Sequence, residues 1–181
     1  MKKALAVLMC LILALGCAAA LAENEKTNLG VINVNGAFTL KCSLPEGYSV
    51  EVTELDADGL MAIILPADAS KPSMTLIVEF DELYAQVERL NDLSAEDLAA
   101  IEATYNEYKV DFSYGETAYG TKLLIARETG DDEDFVSIFS IYKGYDVEFI
   151  LAPGEGSSTL TDAQIQQCID FLSELDFVAG E

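Results

Sequence analysis

The sequence predicts an α+β domain in which an antiparallel central β-sheet is flanked by helices, an α/β/α sandwich. Residues 135–152, FVSIFSIYKGYDVEFILA, place two β-branched and aromatic runs around Lys143-Gly144, a pair suited to a two-residue hairpin turn because Gly144 takes positive φ without strain. The pairing set by that turn puts Tyr142 opposite Tyr145, Ser140 opposite Val147, Ile138 opposite Phe149 and Val136 opposite Leu151, all on one nearly apolar face. The opposite face, with Ile141 against Asp146, Phe139 against Glu148 and Ser137 against Ile150, is polar near the turn and apolar away from it, so both faces need cover. Helical periodicity on either side of the hairpin supplies that cover.

Residues 23–37 are polar with scattered apolar positions and read as a loose leader to one domain over residues 38–181. Residues 38–44 alternate Phe38, Leu40, Cys42 and Leu44 with polar positions, the pattern of a half-buried strand. Residues 48–55 and 60–65 are strands about Asp56-Ala57-Asp58-Gly59, with Gly59 expected at positive φ, and the uniformly apolar LMAIIL at 60–65 belongs near the sheet's centre. Residues 74–80 form another strand, with Met74, Leu76, Val78 and Phe80 on one side. A helix is expected from the N-cap Asp81 to Asn91 on the spacing of Leu83, Val87 and Leu90. A second follows the cap Ser94, with Leu93 stapled to Leu98 and with Ile101, Tyr105 and Tyr108 on its apolar stripe. Residues 110–114 and 121–128 are strands before the hairpin. Thr161 and Gln164 form a capping box for a last helix over 162–175, whose Ile165, Cys168, Ile169, Leu172 and Leu175 make it the lid on the hairpin's apolar face.

This order of elements resembles the PsbP-like superfamily. The resemblance spans about residues 40–178 and rests on the strand ending Pro45-Glu46-Gly47-Tyr48, the run of hairpins, the Lys143-Gly144-Tyr145 turn and the final FLSELDF. That superfamily includes an extrinsic photosystem II protein, a Ran-binding nuclear import factor and exported bacterial proteins. The resemblance implies a sandwich with an antiparallel central sheet and a non-enzymatic binding role, and it carries no functional residue to any position here.

Residues 1–22 combine Lys2 and Lys3, an apolar run over 4–16 and Ala20-Leu21-Ala22 before Glu23, and read as a secretory signal peptide cleaved after Ala22. The run is shorter than the ~20 residues a spanning helix needs, so export without membrane insertion is expected. Lipidation at Cys17 is the competing reading, weakened because leucine falls at Leu13 and Leu15 rather than three residues before the cysteine. Cleavage leaves 159 residues with 8 basic and 32 acidic side chains, a formal net charge of −24. That balance argues against nucleic acid and anionic lipid as partners, which need clustered Lys and Arg, and leaves cationic partners and metal ions open. Solubility is the plainer use of the charge. Cys42 and Cys168 remain as a pair; export permits a disulfide, and their inward positions suit buried free thiols equally.

The sequence has no histidine and no tryptophan. Ser-His-Asp and Cys-His nucleophile systems and ordinary zinc or copper sites are thereby excluded. Asp131, Asp132, Glu133 and Asp134 offer hard oxygen ligands to calcium, and Asp56-Ala57-Asp58-Gly59 begins like a calcium loop, but a buried strand follows where further ligands should be. Both are expected to be solvated turns. Of the tyrosines at 105, 108, 114 and 119, only Tyr114 and Tyr119 are candidates for exposure and for the interface role tyrosine often takes, with packing between strands the plainer account. The expected function is therefore that of a secreted, non-catalytic domain binding a protein partner or cell-envelope component, with no catalytic, cofactor or metal residue assigned. A calcium- or small-ligand-binding module ranks second, and a hydrolase using paired carboxylates third.

Overall fold

The computed structural model describes residues 26–33, 36–105, 109–129 and 134–179. The expected signal peptide with Cys17 and Ala22 lies outside the described residues, as do Tyr108, Asp131, Asp132 and Glu133. The strands are β1 (Thr27–Ile32), β2 (Phe38–Cys42), β3 (Tyr48–Leu55), β4 (Gly59–Pro66), β5 (Ser73–Phe80), β6 (Val110–Glu116), β7 (Lys122–Thr129), β8 (Asp134–Tyr142), β9 (Tyr145–Ala152) and β10 (Asp176–Ala179). The α-helices among the described residues are α1 (Ala95–Thr104) and α2 (Asp162–Ser173). Seven strands form one antiparallel sheet in the order β3-β4-β5-β9-β8-β7-β6, and three form a second in the order β1-β2-β10.

The β8–β9 hairpin has the register its turn dictates: Tyr142 pairs with Tyr145, Ser140 with Val147, Ile138 with Phe149 and Val136 with Leu151. Lys143 at φ 49° and Gly144 at φ 84° give the two left-handed residues of a type I′ turn, whose twist matches that of the strands. The hairpin lies inside the large sheet, with β9 paired to β5 and β8 paired to β7.

The expected α/β/α sandwich is corrected to a β-rich fold: 50% of the structure is strand and 19% helical, in two sheets with two α-helices. The apolar face of the hairpin is covered by the small sheet together with α2. Phe38, Leu40 and Cys42 of β2, Leu29 and Ile32 of β1, and Cys168, Ile169, Phe171 and Leu172 of α2 pack there on Leu76, Val78, Val147 and Phe149 in one core. A smaller core lies on the opposite face, where Leu98 and Ile101 of α1 and Leu90 cover Leu124, Phe139 and Ile141.

Several local departures from the expected elements occur, the first from competition by non-local backbone partners. The helix expected over 81–91 is reduced to 3₁₀ turns at Glu82–Tyr84 and Leu90–Asp92. Asp81 does cap the first, its Oδ1 accepting from Leu83 N at 2.7 Å. The carbonyls of Val87 and Glu88, however, accept from Gly144 N and Lys143 N at the hairpin tip, so they are not available to a continuing helix. Within the stretch read as a leader, Thr27–Ile32 forms β1 along β2; a bulge between Asn28 and Gly30 puts the buried Leu29 and Ile32 three apart and hides the two-residue alternation. The last helix ends at Ser173 rather than residue 175, where Glu174 N and Leu175 N bond to Phe171 and Leu172 carbonyls, and the chain reverses into β10 on the other side of β2. Gly59 is not among the positive-φ residues; a Cβ there would collide with the Val78 carbonyl of β5, so glycine serves close strand approach.

Both expected caps are present. Ser94 Oγ accepts from Asp97 N at 3.2 Å while the Asp97 carboxylate accepts from Ser94 N at 3.1 Å, and Thr161 with Gln164 repeats the arrangement at α2. Ser94→Ala should therefore cost about 1 kcal/mol, measured by denaturant unfolding, with an unchanged value showing that α1 is held by packing alone.

Candidate functional site

Two features are not used up by the packing of the described residues: an area of sheet that they leave uncovered, and a cavity at the hairpin end. On the face that α1 half covers, the register aligns side chains in rows across the strands. One row runs Glu54, Met61, Ile77, Glu148, and the next runs Glu51, Ile63, Thr75, Ile150. Leu65 lies beyond Ile63 on β4, and Phe135 beyond Ser137 on β8. Met61, Ile63, Leu65, Ile77, Ile150 and Phe135 belong to neither core, and Leu65 and Phe135 are 45% and 40% exposed. Strands fit this face because alternate positions of β4, β5 and β9 on the other side are fully buried. Its rim is acidic, with Glu51 and Glu54 on the outer strand β3 and with Glu79, Asp146 and Glu148 toward the hairpin tip. No Lys or Arg occupies a strand position in this half.

The tip-side acids are unequal. Asp146 is pushed up to about 7, first by burial and then by the charges of Asp81, Glu148 and Glu79, and its Oδ1 is buried with no hydrogen-bond partner among the described residues. Glu148 is satisfied, since Ser137 Oγ and the Tyr105 hydroxyl donate to its Oε1, the latter at 3.4 Å.

The cavity, of about 470 Å³, opens between the end of the large sheet and the α2–β10 connection. Buried Leu123, Val147 and Leu172 line it, and Tyr142 and Phe177, stacked with ring centroids 3.8 Å apart, form one wall. Tyr119, 75% exposed, stands at the β6–β7 loop, which carries Thr117 and Thr121 into the lining. Asn91 fastens this loop to the second 3₁₀ turn, donating to Gly120 O and accepting from Lys122 N, and so holds Arg89 beside it.

Comparison with known proteins finds no matching family model, curated protein or solved structure. No family is shown. Nothing in these comparisons identifies the PsbP-like superfamily.

The residues singled out by sequence are distributed differently from the surfaces above. Asp56 Oδ1 accepts from the backbone of Asp58 and Gly59, an Asx turn that uses the carboxylate locally. Asp134 is buried against Arg127 at 3.1 Å. No group of three or more metal-ligating side chains occurs among the described residues. Tyr114 and Tyr119, the two candidates for exposure, are exposed rather than packed between strands, with Tyr114 donating to Glu102 at 2.6 Å. Cys42 and Cys168 are free thiols in the large core, raised by burial to about 11 and about 12, far from the thiolate form that reacts. The uncovered face is legible in part, since the hairpin's second face reads as half polar. Its extension over β4 and β5 is not, because LMAIIL looks like a strand buried on both sides. Arg89 and Phe177 of the cavity carry no local signal.

Proposed function

We propose that this protein is a non-catalytic binding domain that docks a partner protein on the uncovered half of its large sheet, the partner presenting apolar side chains flanked by Lys or Arg. The observation that supports this reading is the contiguous apolar surface of Met61, Ile63, Leu65, Ile77 and Ile150, outside both cores and rimmed by carboxylates. Leu65 is exposed and the other four are partly exposed; apolar area of this kind gives affinity on burial, and the one-signed rim selects the partner's charge and speeds encounter. A second copy of the chain is disfavoured as occupant, because two such acidic rims would repel.

The test uses two synthetic twelve-residue peptides, one alternating Val with Lys and the other Val with Glu, titrated by calorimetry. The Val-Lys peptide should bind, weaken as salt rises, and lose at least tenfold in affinity on Ile77→Glu at unchanged melting temperature. Equal binding of both peptides, or insensitivity to Ile77→Glu, would refute the reading. So would a dimer in sedimentation that Ile77→Glu disperses, since the face would then be covered by a second copy.

A further inference from the structure

We propose that the cavity at the hairpin end is a second, separate binding site, for a small amphipathic carboxylate whose apolar chain enters between the two sheets and whose head meets Arg89. A volume of about 470 Å³ falls in the range of small-molecule sites and accommodates a chain of roughly ten carbons. Its depth is apolar, with Leu123 and Val147 of the sheet facing Leu172 of α2, all three buried. Apart from the buried hydroxyls of Ser140 and Ser173, its polar groups lie at the mouth and favour an acceptor. Thr117 Oγ1 already accepts from Tyr119 N and Thr121 N, so what it has left to offer is its own proton.

The mouth does not share the acidity of the whole molecule: its lining carries two cations, Arg89 and Lys143, and two carboxylates, Glu88 and Asp176. In a chain of net charge −22, Asp176 at this mouth is ion-paired with Lys26 at 2.9 Å, and Lys26 lies 3.9 Å from Glu174 as well. Arg89 forms no ion pair among the described residues. A guanidinium whose donor fork has no partner among the described residues, beside an apolar cavity, is suited to a carboxylate by shape as well as charge. The inner hydroxyls are committed to the fold and do not compete for the ligand. Ser140 Oγ donates to Lys122 O, and Ser173 Oγ donates to Ile169 O while accepting from Ala118 N.

Calorimetric titration with decanoate and with decanol separates head recognition from mere greasiness. Decanoate should bind at one site, at least tenfold tighter than decanol. Arg89→Gln should reduce decanoate to the level of decanol, Thr121→Trp should abolish both by filling the mouth, and Ile77→Glu on the uncovered sheet face should change neither. If Thr121→Trp fails to fold, Leu175→Trp blocks the mouth from the α2–β10 side. Absence of decanoate binding, equal affinity for the two ligands, or full affinity in Arg89→Gln would overturn the proposal. Loss of binding in Ile77→Glu would overturn it too, by placing the amphiphile on the sheet face, whereas failure of the peptide titration alone leaves this site untouched.

Discussion

Replacing Arg127 by methionine should destabilise the fold by about 3–5 kcal/mol, the cost of leaving a buried charge without its partner. Arg127 on β7 reaches three places at once. Its Nη2 meets Asp134 Oδ2 of β8 at 3.1 Å and donates to Leu160 O at 2.7 Å, and its Nη1 lies 3.6 Å from Asp162 in the first turn of α2. The Asp162 contact adds little, because that side chain is 99% exposed and screened. Asp134 is the costly neighbour: its side chain is 7% exposed and would lose the cation that faces it. The variant Arg127→Met with Asp134→Leu should recover most of the loss, since it removes the buried carboxylate together with its cation. Urea unfolding of the two single variants and the double measures the coupling directly. A single Arg127→Met cost below about 1 kcal/mol would mean that Asp134 finds water, contrary to its burial.

Asp146→Asn should stabilise the protein, and by an amount that depends on pH. The carboxyl is pushed up to about 7 in the folded state against an unfolded value near 4, so the folded protein holds a proton there that the unfolded chain releases. Below about pH 4 both states are protonated and Asp146 contributes nothing. Between about 4 and 7 the unfolded chain binds fewer protons than the folded one, so stability falls as pH rises, and above about 7 the full cost is present. A shift of this size corresponds to roughly 2–4 kcal/mol, taken at the low end because the residue keeps some solvent contact. Asparagine removes the charge beside Asp81, Glu148 and Glu79. The variant should match wild type near pH 4 and exceed it near pH 8 by about 2 kcal/mol, or some 4–8 °C in melting temperature for a domain of this size. A difference that is constant across pH would show that Asp146 is not strained by its charge.

These two residues lie beside the proposed surfaces in instructive ways. Asp146 is part of the acidic rim of the uncovered sheet, where its buried, unsatisfied Oδ1 costs stability in the isolated domain. A cationic partner docked on that rim would lower the cost, so the rise on Asp146→Asn and the loss of a Val-Lys peptide should appear in the same variant. Arg127 belongs to the opposite face and fixes α2, which forms one side of the amphiphile cavity.

What the sequence determined by itself is local. A two-residue turn with Gly144 sets a hairpin register through covalent geometry, and Ser94 and Thr161 with their acceptors three residues on set helix starts through one turn of backbone. The absence of histidine excludes a class of chemistry on composition alone. Tertiary structure decided the rest wherever a segment's backbone partners lie far away in the chain. Leu83, Val87 and Leu90 have helical spacing, yet the hairpin tip takes the carbonyls that a helix would need. Residues 27–32 and 176–179 become strands because β2 offers both its edges, a fact about position 40 that neither segment records. The α/β/α layering fails for the same reason, since apolar faces announce that they need cover but not whether a helix, a second sheet or a partner provides it. The uncovered face and the cavity both arise from that freedom: among the described residues, three strands and two short helices do not reach over the whole of a seven-stranded sheet.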